Sequence, residues 1–184
     1  MSLRPNLDVE TAALVLPPHL QEIVEAEFPR FSDGEIARRR AAIEDLLAAE
    51  NLDHLVFCGA NRFGSAVQWL TRWPVTTEAI GIFSPGKADT LFVQHVNHVP
   101  LARRIAEDAE VAWGGQSSIR ALIAALESRS ALTGRVGVIG PMTFEQHAML
   151  SARFGKIANL NRAYVRLRQI KSAEELNWMR IGAA

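Results

Sequence analysis

Paired cysteines are missing from this chain: Cys58 is the only one among 184 residues. No intramolecular disulfide can form, which suits a reducing, cytoplasmic compartment. An excess of one charge is missing too, since 20 Lys and Arg stand against 20 Asp and Glu. A balanced chain has no overall pull toward nucleic acid or an anionic membrane surface, so neither is expected as a partner. Long hydrophobic runs are absent as well. The longest, Ala121 to Leu126, falls far short of the roughly 18–20 apolar residues that span a bilayer.

What the chain does have is ordinary for a soluble domain, with 48% hydrophobic and 22% charged residues, enough for a sizeable core. The one basic run, Arg38-Arg39-Arg40, lies in a predicted helix with Glu35 and Glu44 nearby. That setting reads as a solvated face rather than a phosphate site.

In chain order, residues 1–30 read as an extension. The leading Met1-Ser2-Leu3 carries no functional signal, and Pro17-Pro18 introduces an amphipathic segment, His19 to Phe28, with Leu20, Ile23, Val24 and Phe28 at helical spacing. A helix is expected from Asp33 to about Glu50, with Ser32 as N-cap, Glu35 completing a capping box, and Ile36, Ile43, Leu46 and Leu47 as its buried stripe. Asn51, which tolerates the left-handed conformation, should end it. Leu52 to Phe57 reads as a strand, and Ala79 to Phe83 with Thr90 to Gln94 as a hairpin around Ser84-Pro85-Gly86-Lys87-Ala88-Asp89. Further helices are expected over Pro100 to Asp108, Ser118 to Glu127 and Met142 to Phe154, and strands over Glu110 to Trp113, Arg135 to Ile139 and Ile157 to Leu160. Alternating helices and short apolar strands give a three-layer α/β domain, and the hairpin makes its sheet mixed.

Chemistry-bearing patterns are sparse. His95-x-x-His98 lacks the Glu, the spacing and the third ligand of a zinc helix, so no metal site is expected from it. Gly114-Gly115-Gln116-Ser117-Ser118 precedes a helix without a Gly-Lys-Ser or Gly-Lys-Thr, and Gly134-x-x-Gly137-x-x-Gly140 runs through a strand rather than from strand into helix. Both read as turn and strand-packing glycines, not as phosphate or dinucleotide loops. Cys58 and His54 share a strand face, but four residues along a strand span roughly 13 Å, so a thiol–imidazole dyad is not expected. Cys58 reads as a buried structural residue.

The last stretch is the most specific. Ser172 and Glu175 form a second capping box at the start of a helix bearing Leu176 and Met179 on one face. With only about three turns and no closing cap, it reads as a helix cut at a domain boundary. The string Arg168-x-Ile170-Lys171-Ser172-x-x-Glu175-Leu176-x-x-Met179-Arg180-x-x-Ala183 resembles the segment that leads from the N-terminal domain into the catalytic pita-bread domain of the creatinase, prolidase and Xaa-Pro aminopeptidase family. That family often has Pro where Ala173 stands, and both suit the first helical position. Val67-Gln68-Trp69-Leu70-Thr71 is similar to its Asn-Ile-x-Tyr-Leu-Thr-Gly loop, with Trp69 for the usual Tyr and Arg72 for the usual Gly. The backbone freedom of that Gly is therefore expected to be missing.

The resemblance runs from about Phe31 to Ala184 and implies a mixed, six-stranded N-terminal domain over 31–167, followed by the start of a linker helix over 168–184. It implies a parent protein that hydrolyses X-Pro peptides or a related C–N bond. Two divalent metals (Mn, Co or Zn) would sit on two Asp, one His and two Glu, all in the pita-bread domain and none assignable here. This chain would then hold no catalytic and no metal-binding residue. It would serve a homodimer and the active-site mouth, with Trp69, Arg72 and Trp73 as substrate-access residues. The alternative for those three is that the tryptophans are core and Arg72 is solvated. The alternatives for the whole chain are a domain of a non-catalytic pita-bread binding protein and a free-standing α/β ligand-binding domain.

Overall fold

A computed structural model of the chain describes residues 16–26, 29–61, 63–129 and 134–184; Met1-Ser2-Leu3 and Phe28 lie outside the described residues. The chain forms two units, one drawn from Met1–Arg30 and Lys171–Ala184, the other from Phe31–Ile170. In the first unit, α1 (Pro18–Glu25) begins on Pro18, whose missing N–H costs nothing at a helix start. The same unit holds α8 (Ala173–Ala183), opened by the capping box of Ser172 and Glu175 in both directions. Among the described residues no helix is long and apolar enough to cross a membrane.

The Phe31–Ile170 unit opens with α2 (Asp33–Ala49); the Ser32 hydroxyl accepts from the Glu35 amide, the first half of the expected box, while the Glu35 carboxylate accepts from Arg38 and Arg39. Ile36, Ile43 and Leu47 are buried. Asn51 takes φ 55°, the left-handed turn that delivers the chain into β1 (His54–Ala60). Next come α3 (Ala66–Thr71), β2 (Glu78–Phe83), β3 (Asp89–Val93), a 3₁₀ turn over Val96–His98, α4 (Val99–Ile105) and β4 (Ala109–Trp113). The unit ends with α5 (Ser118–Ser128), β5 (Val136–Ile139), α6 (Phe144–Phe154), β6 (Ala158–Asn159) and α7 (Asn161–Leu167).

The six strands lie in the order β4-β3-β2-β1-β5-β6. The β1–β2 and β2–β3 pairs are antiparallel, the second being the expected hairpin, while β3–β4, β1–β5 and β5–β6 are parallel. Side chains alternate along β1, so Leu55 and Phe57 join one core while Val56 and Cys58 join the other. Helices α2, α3, α4 and α7 supply Ile43, Leu47, Leu70, Ala102 and Tyr164 to the first core. Helices α5 and α6 supply Leu122, Leu126 and Leu150 to the second. Each fully buried Leu, Ile, Val or Phe contributes about 1.5–3 kcal/mol, so covering both faces is what makes β1 apolar along its length.

Three readings need correction. Val67 to Thr71, likened above to a loop, lies within α3, a helix too short for a 3.6-residue pattern to show. The stretch between the predicted strand Ile157 to Leu160 and the Ser172 cap, assigned no element above, contains α7. The arginine run is a solvated face only in part: Arg38 is exposed, Arg40 is partly buried against Asp89, and Arg39 lies inside. Arg39 is 1% exposed, its guanidinium 3.9 Å from the Phe31 ring and 5.2 Å from the Trp69 ring. It donates to Glu35 Oε1 at 2.7 Å and to the Trp69 carbonyl at 3.0 Å, so the buried charge is ion-paired and hydrogen-bonded.

Candidate functional site

Trp69, Arg72 and Trp73 come together, but they point inward. They are 6%, 7% and 3% exposed. Trp69 meets Tyr164 edge to face, with centroids 5.5 Å apart, an arrangement that adds to the large area an indole buries. Arg72 caps α3 at φ 65°, its N–H donating to the Gln68 carbonyl. It thus takes up the left-handed turn that its side chain was expected to forbid. A non-glycine residue there costs roughly 1–2 kcal/mol. The guanidinium offsets it by donating to Asp33 Oδ1 at 2.6 Å, Asp108 Oδ2 at 3.2 Å and the Phe31 carbonyl at 3.2 Å. Within a single chain, then, these residues hold α3 to the start of α2 and to the turn before β4.

The histidines form no triad. The His95 and His98 rings lie 5.1 Å apart and edge to face, and the His98 Nδ1 sits 3.3 Å from the Thr76 hydroxyl. Among the described residues no group of three His, Cys, Asp or Glu is placed to hold a metal. Cys58 is buried, and its burial, reinforced by the nearby Glu78 charge, drives the thiol well above its ordinary range. His54 turns instead to Ser84, Nδ1 to Oγ 2.8 Å, and burial lowers its pKa. A thiolate nucleophile has no support in this geometry.

The cavity that does form was not visible in any local motif. A cleft of about 470 Å³ opens at the carboxyl ends of β3 and β4, where β2 begins, between the first turns of α5 and α6. This is where open α/β sheets offer ligand space. Glu78, Gln94, Trp113, Arg120, Glu145 and Gln146 are among its walls. Two glycines shape its surroundings. A Cβ on Gly114 would stand 2.5 Å from the Ser118 hydroxyl, so only glycine lets the start of α5 lie this close to the β4 end. Gly140, at φ 88°, would drive a Cβ to 2.0 Å from the Cys58 carbonyl, so only glycine lets the chain leave β5 against β1. The Trp113 indole donates to the Gln94 carbonyl at 3.0 Å, which fixes the ring as a wall although it is half-exposed. Glu78 Oε2 accepts from the Gln146 amide at 2.8 Å. A smaller recess of about 170 Å³, lined by Cys58, Ala60, Ile80, Pro141 and Met142, shares Glu78, Thr143 and Gln146 with the cleft.

No family model and no curated protein matches the chain. Solved structures do. An Xaa-Pro dipeptidase from Bacillus anthracis superposes at TM-score 0.63 and 10% identity, over 77% of this chain and 38% of that one. The dipeptidase PepE from Mycobacterium ulcerans gives 0.61 and 18%, over 80% and 40%. The creatinase/prolidase N-terminal domain of an X-Pro dipeptidase from Streptococcus pyogenes gives 0.52 and 15%, over 73% of this chain and 98% of that one. The chain thus spans well under half of those two dipeptidases and nearly all of the isolated domain. Identities this low establish architecture, and the architecture is a mixed six-stranded sheet between two helical layers: the chain has the fold of the creatinase/prolidase N-terminal domain.

Proposed function

We propose that this chain is the non-catalytic N-terminal domain of a hydrolase acting on X-Pro peptides or a related C–N bond, of the prolidase, Xaa-Pro aminopeptidase or creatinase kind. The observation that carries the reading is the shared fold, found both in Xaa-Pro dipeptidases and in isolated N-terminal domains. In this reading the chemistry belongs to a following pita-bread domain, where two divalent metals (Mn, Co or Zn) activate water and polarise the scissile carbonyl. This domain then serves homodimerisation and access to the active site, in a reducing cytoplasm that a lone buried Cys58 suits. Trp69, Arg72 and Trp73 act by holding α3 in place rather than by touching substrate, given their burial.

The test is to read the gene past Ala184, express the complete product and assay X-Pro dipeptide hydrolysis with added Mn. A following domain with two Asp, one His and two Glu as ligands, and metal-dependent cleavage, is the expected result. A pita-bread domain without that set makes the protein a binder, and an immediate stop makes the chain a free-standing ligand-binding domain.

A further inference from the structure

The cleft between α5 and α6 holds charges of both signs that do not pair. Arg120 and Glu145 form no ion pair among the described residues, and Glu78 uses one carboxylate oxygen for Gln146 and leaves Oε1 without a partner there. Several arginines of the same unit are engaged instead: Arg38 and Arg39 with Glu35, Arg72 with Asp33 and Asp108, Arg135 with Asp53, Arg153 with Glu127. Arg120 and Glu145 are exposed and Glu78 is half-buried, so a ligand that is itself dipolar could meet both signs at once. Size agrees, because a cleft of about 470 Å³ falls in the range of small-ligand sites, roughly 300–1,000 Å³. The fixed Trp113 indole supplies a flat wall.

The recess narrows the choice. It meets the cleft at Glu78 and Gln146, and its lining of Cys58, Ala60, Ile80, Pro141 and Met142 is apolar. A group passing Glu78, Thr143 and Gln146 into it meets mostly apolar walls, so the ligand needs a short hydrocarbon arm next to its positive end. Glu78 stands at that junction.

We propose that this cleft binds a free α-amino acid with an apolar side chain: the ammonium on Glu78, with Glu145 adding negative field, the carboxylate on Arg120, and the side chain in the recess behind Gln146. The proposal does not depend on the hydrolase reading, because it concerns only residues of this chain and a ligand it would hold without a catalytic domain.

Isothermal titration of the purified 184-residue chain with L-leucine at neutral pH tests it. One site per chain is expected. Glycine, which lacks the hydrocarbon arm, and N-acetyl-leucine, which lacks the ammonium, should each bind at least tenfold more weakly to the same wild-type protein. Glu78→Gln should weaken leucine at least tenfold with an unchanged far-UV spectrum. No leucine binding at tens of millimolar overturns the proposal. So does binding in which N-acetyl-leucine equals leucine, because the ammonium would then play no part. The ligand series uses wild-type protein and so remains decisive even if the variant fails to fold.

Discussion

Arg72, the left-handed C-cap of α3, reaches across to Asp33, the first residue of α2, with Nη2 and Oδ1 2.6 Å apart. The Arg72 side chain is 4% exposed and that of Asp33 84%. One end of the pair is in water, so the pair alone is worth about 0–1 kcal/mol. What matters is that a buried guanidinium with three acceptors is the device that keeps a bulky residue at positive φ.

Substitutions at this position separate backbone from side chain. Arg72→Ala loses the charged hydrogen bonds and keeps the strain, so a loss on the order of 2–3 kcal/mol is expected. Arg72→Gly loses the same bonds but relaxes the turn, and should be about 1 kcal/mol more stable than Arg72→Ala. Trp73→Ala, which empties a core site, should cost about 3–5 kcal/mol. Urea melts of the chain give the order. If the full-length protein is the hydrolase proposed above, its activity should fall only in proportion to folded protein. Activity lost at unchanged stability would instead make these residues part of the substrate's path.

A second prediction concerns Asp89. Its carboxylate is 1% exposed, ion-paired through Oδ2 to Arg40, and its Oδ1 has no hydrogen-bond partner. Burial pushes its pKa up to about 6, against the pull of Arg40 and Arg129 and with a push from Asp108. The folded value lies above the unfolded one, so the native state binds the extra proton between about pH 4 and 6. Stability from this group is then greatest below the unfolded pKa and is lost as pH rises through 6, by about 3 kcal/mol in all. His54 acts in the other direction: burial lowers its pKa, so its contribution is lost as pH falls below the unfolded value of about 6.5. Stability measured from pH 4 to 7 in wild type and Asp89→Asn isolates the first effect. The difference curve should slope through this window, and a flat one would mean that Asp89 is already ionised at pH 4.

Local signals were legible wherever chemistry was local. Ser32, Asn51, the Ser84–Asp89 turn and the Ser172–Glu175 box each marked an element end because a cap or turn needs particular residues within four positions. The parallel β1–β5 pairing joins His54–Phe57 to Val136–Ile139, and nothing within either run announces the other. Arg39 was misread for a related reason. Its aromatic partners Phe31 and Trp69 lie eight and thirty positions away, so a run of three arginines looks solvated until the fold brings rings to it. The cleft is the extreme case. Glu78, Trp113, Arg120 and Glu145 come from four elements and individually read as surface residues.

The terminal helix offers the last test. In α8 the Ser172 hydroxyl accepts from the Glu175 amide at 3.1 Å, and the Glu175 carboxylate accepts from the Ser172 amide at 3.1 Å. Leu176 and Met179 are 42% and 58% exposed, so their face contributes little burial, and the cap carries an unusual share of what holds the first turn. Ser172→Ala should cost about 1 kcal/mol. That corresponds to roughly fivefold faster amide exchange across α8. Ser172→Asp, which restores the acceptor and adds charge at the positive end of the helix dipole, should return exchange to the wild-type rate or below it. Hydrogen exchange followed by mass spectrometry reads this directly, with the central strand β1 as the internal reference. If Ser172→Ala leaves the α8 amides unchanged, packing rather than capping holds the helix, and Leu176→Ala becomes the substitution that should loosen it.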